Sequence, residues 1–112
     1  MKKLIFKLFN NNHEVINEIV NYYESNNIIK FKIKDELYEY DKDNTILIKK
    51  DEEKEIIMNF QEKLIIINLL SNNIKIDYPM NECSIKIDKN NTILKYTLES
   101  EETVENTIFI EF

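Results

Sequence analysis

Between Ile29 and Lys34 apolar and charged side chains alternate without a break, Ile29, Phe31 and Ile33 against Lys30, Lys32 and Lys34. A period of two with β-branched and aromatic residues on one face predicts a half-buried strand. The same reading applies to Ile74, Ile76 and Tyr78 against Lys75 and Asp77, and to Cys83, Ile85 and Ile87 against Ser84, Lys86 and Asp88. Extended along the chain, it predicts strands near 3–9, 28–34, 36–41, 45–50, 54–60, 63–70, 74–78, 83–88, 92–99 and 105–112. Leu64–Leu70 is apolar on both faces apart from Asn68, which predicts a central strand covered on both sides. The final run, Asn106–Phe112, is also apolar on both faces and has only Glu111 as a gatekeeper. It is expected either as an exposed edge or, preferably, as a strand docked inside a closed sheet.

Segment 13–24 fits two periods. Val15, Ile16, Ile19, Val20 and Tyr23 have helical spacing behind a potential cap at Asn12. Val, Ile, Asn and Tyr are mediocre helix formers, however, and Glu24-Ser25-Asn26-Asn27 has the composition of a hairpin turn. Strand and one short helix both stay open. An internal repetition favours strand. Ser25-Asn26-Asn27-Ile28 recurs as Ser71-Asn72-Asn73-Ile74, and Asp41-Lys42-Asp43-Asn44-Thr45-Ile46-Leu47 as Asp88-Lys89-Asn90-Asn91-Thr92-Ile93-Leu94. A duplication would set 14–24 against the strand region 60–70. Repeated turn chemistry in a chain of biased composition explains the same matches.

The chain has no glycine. Glycine ordinarily supplies the positive φ of tight hairpins. Asparagine clusters at Asn10-Asn11-Asn12, Asn26-Asn27, Asn72-Asn73 and Asn90-Asn91, and the Asp43-Asn44 pair, stand where those turns are needed. The same absence excludes a P-loop, a GxGxxG dinucleotide turn and a GxSxG nucleophile elbow. Many short strands at regular spacing predict an all-β fold, a small antiparallel barrel or strongly curved sandwich of eight to ten strands. At 112 residues it forms one domain spanning 1–112, and closure carries the expectation of a monomer.

Charge and cysteine content narrow the partners. The net charge is −6 and all 15 basic residues are lysine. Nucleic acid is not expected, because arginine makes the bidentate contacts to guanine and phosphate and the overall field repels polyanions. No stretch approaches the roughly 18 apolar residues of a membrane-spanning helix. The apolar stretch at the N-terminus, interrupted by Lys7 and ending at Asn10, is too short for a secretory signal. With Cys83 alone, no internal disulfide forms, and a cytoplasmic location is expected.

Catalytic chemistry finds little to work with. His13 and Cys83 are the whole His/Cys supply, below what a zinc site needs, and Cys83 is expected as a buried, unreactive thiol. Asp41, Asp43, Thr45 and Glu52 match ligand positions of an EF-hand loop, but Ile46 stands where its glycine must be. The acidic stretch Glu99, Glu101, Glu102 and Glu105 reads as a solvated loop. No cofactor and no metal are expected. Tyr22, Tyr23, Tyr38 and Tyr40 are the candidate ligand-binding residues: a hairpin brings them together, and such rings line a barrel mouth or form a binding patch. Cross-strand aromatic packing is the alternative for the same residues. The Lys30, Lys32 and Lys34 row reads as a wet face or an edge guard.

Ile29-Lys30-Phe31, Glu36-Leu37-Tyr38-Glu39-Tyr40 and Ile46-Leu47-Ile48 resemble the second and third strands of the YwiB-type calycin-like β-barrel proteins. Ile93 to Glu99 followed by Asn106 to Ile110 resembles that family's closing hairpin, so about half of the chain carries the likeness. The chain lacks the family's turn glycines, and Tyr78-Pro79-Met80-Asn81-Glu82 departs from its Tyr-x-Thr-x-x-Gly stretch. The resemblance implies a barrel akin to lipid and small-ligand binders and transfers no site. The function expected is a non-enzymatic binding protein holding a small apolar ligand or a peptide at one barrel end. The alternative is an acidic interaction module, a profile shared by many small phage-type inhibitors, docking on a basic protein partner through the loops at 51–55 and 99–105.

Overall fold

Ten antiparallel strands close on themselves in the computed structural model, which describes residues 2–112. In chain order they are β1 (Lys2–Asn10), β2 (His13–Ser25), β3 (Ile28–Ile33), β4 (Glu36–Asp41), β5 (Ile46–Lys50), β6 (Lys54–Asn59), β7 (Leu64–Leu69), β8 (Ile74–Ile87), β9 (Asn91–Leu98) and β10 (Glu101–Glu111). Each strand pairs with its sequence neighbour, and β10 returns to β1 from Ile5↔Glu111 to Asn10↔Asn106. The fold is therefore an all-β up-and-down barrel, and the C-terminal strand lies inside the sheet between β9 and β1. There is no helix among the described residues, hence none able to cross a membrane.

Segment 13–24 is strand. Its register on β1, Leu4↔Val20 through Asn10↔His13, directs Val20 and Tyr22 to the core beside Leu4 and Phe6. Tertiary pairing overrides the helical spacing, and Asn12 serves as the second residue of a hairpin turn rather than as a helix cap. Segments 74–78 and 83–88 are one strand. β8 pairs β7 up to Leu64↔Pro79 and then pairs β9 from Met80↔Leu98 onward. Pro79, which has no N–H to give, sits where the strand changes partner. β2 changes partner in a similar way, lying on β1 for most of its length and reaching β3 only at Tyr22–Ser25. The sheet turns its corners at these two long strands.

Absence of glycine is met in two ways. Asn11, Asn12, Asn26, Asn27 and Asn73 take φ between 49° and 68°. Consecutive positive values at Asn11-Asn12 and Asn26-Asn27 are what type I′ hairpins require, and asparagine is the residue that tolerates them best after glycine. Lys34, Thr45 and Lys63 hold φ of 52–55° without that tolerance. Elsewhere a side-chain oxygen organises the turn. The Asp41 carboxylate accepts from the N–H groups of Asp43 and Asn44 at 3.0 and 3.2 Å, and Asp88 does the same for Asn90 and Asn91 at 3.1 and 3.0 Å. Asp51 repeats the arrangement with Glu53 and Lys54.

The two halves of the sequence repetition occupy unlike places. Asn26-Asn27 joins β2 to β3 and Asn72-Asn73 joins β7 to β8, but the chain from there to the second motif is the β3–β4 hairpin in one case and the single strand β8 in the other. What recurs is turn chemistry.

Alternation sends Leu4, Phe6, Ile29, Phe31, Tyr38, Tyr40, Leu47, Leu94, Ile108 and Ile110 inward, all buried. Phe6, Phe31 and Tyr38 form a cluster with centroids 5.0–5.4 Å apart, Phe31 and Tyr38 stacked within 5° of parallel. These rings and their aliphatic neighbours fill the axis. β7 is not covered on both sides. Ile65 is buried inside, while Ile66 joins Ile57 and Ile48 in a half-buried row on the outer wall, where no second layer lies over them among the described residues.

Candidate functional site

Period-two geometry separates the four tyrosines. Tyr22, Tyr38 and Tyr40 point inward and are buried, whereas Tyr23, one residue beyond Tyr22, points outward and is 67% exposed. The three inner rings belong to the packed core, and the Tyr22 ring meets Phe112 edge-on at 5.8 Å. The Tyr40 hydroxyl is buried without a hydrogen-bond partner; burial raises its pKa against the opposing influence of the nearby Thr92 and Thr45 hydroxyls. Burial likewise raises the pKa of Tyr38, opposed by the neighbouring Lys49 ammonium. Lys49 sits 2.9 Å from Glu36 and 5.9 Å from the Tyr38 centroid. Its own burial disfavours the ammonium, but Glu36 and Tyr38 outweigh this and leave its pKa raised.

A concavity opens across β2 to β5, lined by the inward-facing Val20, Phe31 and Tyr38 together with outward-facing residues. An open cleft of about 820 Å³ lies across β2, β3, β4 and β5 and reaches Glu55 on β6. Ile19 and Tyr23 on β2, Leu37 on β4 and Ile48 on β5 give it an apolar surface. Lys30, Lys32, Lys50, Glu39 and Glu55 supply its charges. Cross-strand register explains the layout: Tyr23, Lys30, Glu39 and Ile48 stand in one row, and Lys32, Leu37, Lys50 and Glu55 in the next. Lys30 pairs with Glu39 at 3.4 Å, and the Glu55 carboxylate accepts from the Asn68 amide at 3.3 Å. Lys32 and Lys50 make no ion pair among the described residues. Three lysines against two carboxylates make the cleft locally cationic in a chain of net charge −6.

Of the sequence candidates, Tyr23 and Tyr38 line the cleft and Tyr22 and Tyr40 do not. Ile19, Leu37, Ile48, Lys50 and Glu55 also line it and are not among the ligand-binding candidates of the sequence. The available signal was an apolar residue at an outward parity, as Leu37 is between Glu36 and Tyr38, but outward parity alone does not reveal which strands form a hollow.

Remaining candidates have structural roles. Cys83 donates to the Phe60 carbonyl oxygen at 3.4 Å, and burial raises its thiol pKa, so it is a thiol rather than a nucleophilic thiolate. His13 is exposed on β2, with β1, β10 and β9 between that strand and β8. Asp41 and Glu52 lie beyond opposite ends of β5, and no cluster of three metal-ligating side chains exists among the described residues. The two acidic loops are apart. Glu53 accepts from Leu70, just past the end of β7, and Glu99 donates to Pro79, which faces Leu64 at its start. The length of β7 thus separates them, and they do not merge into one negative patch.

No family model, no curated protein and no solved structure matches this chain.

Proposed function

We propose that this protein is a non-catalytic binding protein whose ligand is a small, largely apolar molecule carrying an acidic group, held in the cleft across β2 to β5. The carrying observation is the cleft itself: about 820 Å³, within the roughly 300–1,000 Å³ of small-molecule sites. Ile19, Leu37, Ile48 and Tyr23 offer apolar contact, and Lys32 and Lys50, which have no ion pair among the described residues, offer a carboxylate or phosphate two ammonium donors. Resemblance to YwiB-type barrels is consistent with a ligand carrier; the residues that carry it fall on β3 to β5, which build the cleft, and on β9 and β10, which do not. A cytoplasmic location belongs to the same reading.

The test is titration with a fluorescent fatty acid. Saturable binding is expected, lost in Leu37→Glu and weakened about tenfold in Lys32→Gln/Lys50→Gln, equivalent to ~1.4 kcal/mol. Binding that is absent from the unmodified protein, or unaffected by Leu37→Glu, refutes the assignment.

A further inference from the structure

The cleft touches both faces of one sheet. Ile19, Asn21 and Lys32 border it from outside, whereas Val20, Phe31 and Tyr38 border it from inside, where they belong to the core packing. A cavity with that lining crosses the sheet, and it can do so only around a rim or where neighbouring strands are not bonded. The nearest rim is the β3–β4 turn at Lys34-Asp35, which does not line the cleft. β3 is paired to β4 along its length, from Ile28↔Asp41 to Ile33↔Glu36, and β4 to β5 from Leu37↔Lys50 to Asp41↔Ile46. The break is between β2 and β3. Their ladder stops at Tyr22↔Phe31, and among the described residues no backbone bond joins them beyond it. From Asn21 back, β2 is paired with β1 alone, and Lys32 and Ile33 with β4 alone. Phe31 stands at the break on β3 and Val20 just past it on β2, so the cleft enters the barrel wall through this seam.

A floor closes the seam from within. Phe31 and Tyr38 stack 5.0 Å apart within 5° of parallel, and both rings meet Phe6 at 5.4 and 5.0 Å. All three are buried. In a close-packed interior a group entering by the seam stops at this stack unless the stack moves. Outside stand the ammonium groups of Lys32 and Lys50, and an ionised group that stays with them keeps its contact with water. The cleft therefore has a charged mouth and an apolar end.

We infer that the ligand is threaded: its acidic group stays at the mouth with Lys32 and Lys50, its apolar tail passes between β2 and β3, and the Phe31–Tyr38 stack sets the longest tail accepted. Phe31 is thereby a specificity-determining residue. This route presupposes the cleft as the ligand site and adds an end stop that the outer residues do not supply. A tail lying on Ile19, Leu37 and Ile48 alone could lengthen without penalty. A tail in the seam gains about fourfold in affinity with each methylene it buries, and then loses affinity once it meets the stack.

Calorimetric titration with saturated straight-chain carboxylates of increasing length tests it, on the unmodified protein, Phe31→Leu, Val20→Phe and Leu37→Ala. The unmodified protein should show an optimum length with weaker binding beyond it. Phe31→Leu deepens the floor, and the first homologue past the optimum should bind at least fourfold more tightly than it does to the unmodified protein. Val20→Phe narrows the seam from the opposite strand and should move the optimum to shorter chains; Val20 is only half-buried, so this variant decides the matter should Phe31→Leu not fold. Leu37→Ala, on the outer wall, should weaken every length alike and leave the optimum in place. Binding without an optimum, or an optimum that neither Phe31→Leu nor Val20→Phe moves, overturns the threading, while saturable binding abolished by Leu37→Glu would still leave the cleft as the ligand site. No binding at any length removes both.

Discussion

Replacing Lys34 and Lys63 with glycine should stabilise this glycine-free protein. Both residues are exposed, hold φ of 55° and make no ion pair among the described residues. A left-handed backbone costs a residue with a Cβ about 1–2 kcal/mol, and glycine removes that cost. Glycine also enlarges the unfolded ensemble, which returns about 0.4–1 kcal/mol. The difference is a net gain of roughly 0.5–1 kcal/mol per site. Lys34 lies in the β3–β4 turn and Lys63 in the β6–β7 turn, at opposite barrel ends and without shared partners, so the gains should add to about 1–2 kcal/mol. For a domain of this size that is a rise in Tm of roughly 4–8 °C. The assay is urea and thermal unfolding of the double variant beside Lys34→Ala/Lys63→Ala, which loses the same charges but keeps the Cβ. The alanine variant should gain nothing. Equal stability of the glycine and alanine variants would refute the reasoning, because backbone strain would then not be what the turns store.

Two further outcomes follow from buried and ionised groups. Tyr40→Phe removes a hydroxyl buried without a partner and should raise stability by about 1 kcal/mol; a loss of that size in chemical denaturation would mean that Thr92, Thr45 or a buried water satisfies it. Asp41 is held below the ordinary carboxylate range by hydrogen bonds from the Asn44 side chain and backbone, and Asp51 by the Glu53 and Lys54 N–H groups. A depressed folded pKa gives stability that is complete above the ordinary value of about 3.9 and drains as pH falls through the folded value, so Asp41→Asn/Asp51→Asn, which keeps an acceptor but no longer titrates, should flatten the acid limb of a stability–pH curve. An unchanged limb would assign acid sensitivity to other carboxylates.

Local pattern carried the barrel because each strand has a clean inside and outside. Ile29, Phe31 and Ile33 needed only their lysine neighbours to be placed. The turns were legible too, since Asn-Asn pairs between apolar runs have few other uses. Segment 13–24 was ambiguous because β2 is a corner strand: Val15, Ile19 and Tyr23 are apolar on its outer face as well, which blurs the period of two toward a helical one. Alternation predicts two strands at 74–78 and 83–88 because the pattern lapses between Tyr78 and Cys83, and nothing local shows that one strand exchanges partners at Pro79. The cleft was illegible for a related reason. It depends on which outward residues of β2 to β5 the curvature brings to face one another, and that is set by pairing across the whole sheet.

The closing ladder between β1 and β10 has a kinetic meaning. Every other pairing joins neighbours along the chain, so nine ladders can form from short loops within their own stretch of sequence. Only the tenth, with Ile5 against Glu111, brings together positions about a hundred residues apart, and its loop-closure entropy of order (3/2)RT ln n is incurred in one step. Hairpins should therefore assemble early and closure should set the folding rate. Until β10 arrives, the nascent sheet shows β1 unpaired along its outer side, with Leu4 and Phe6 uncovered beside it. That interval, rather than the finished barrel, is when this chain is most exposed to aggregation.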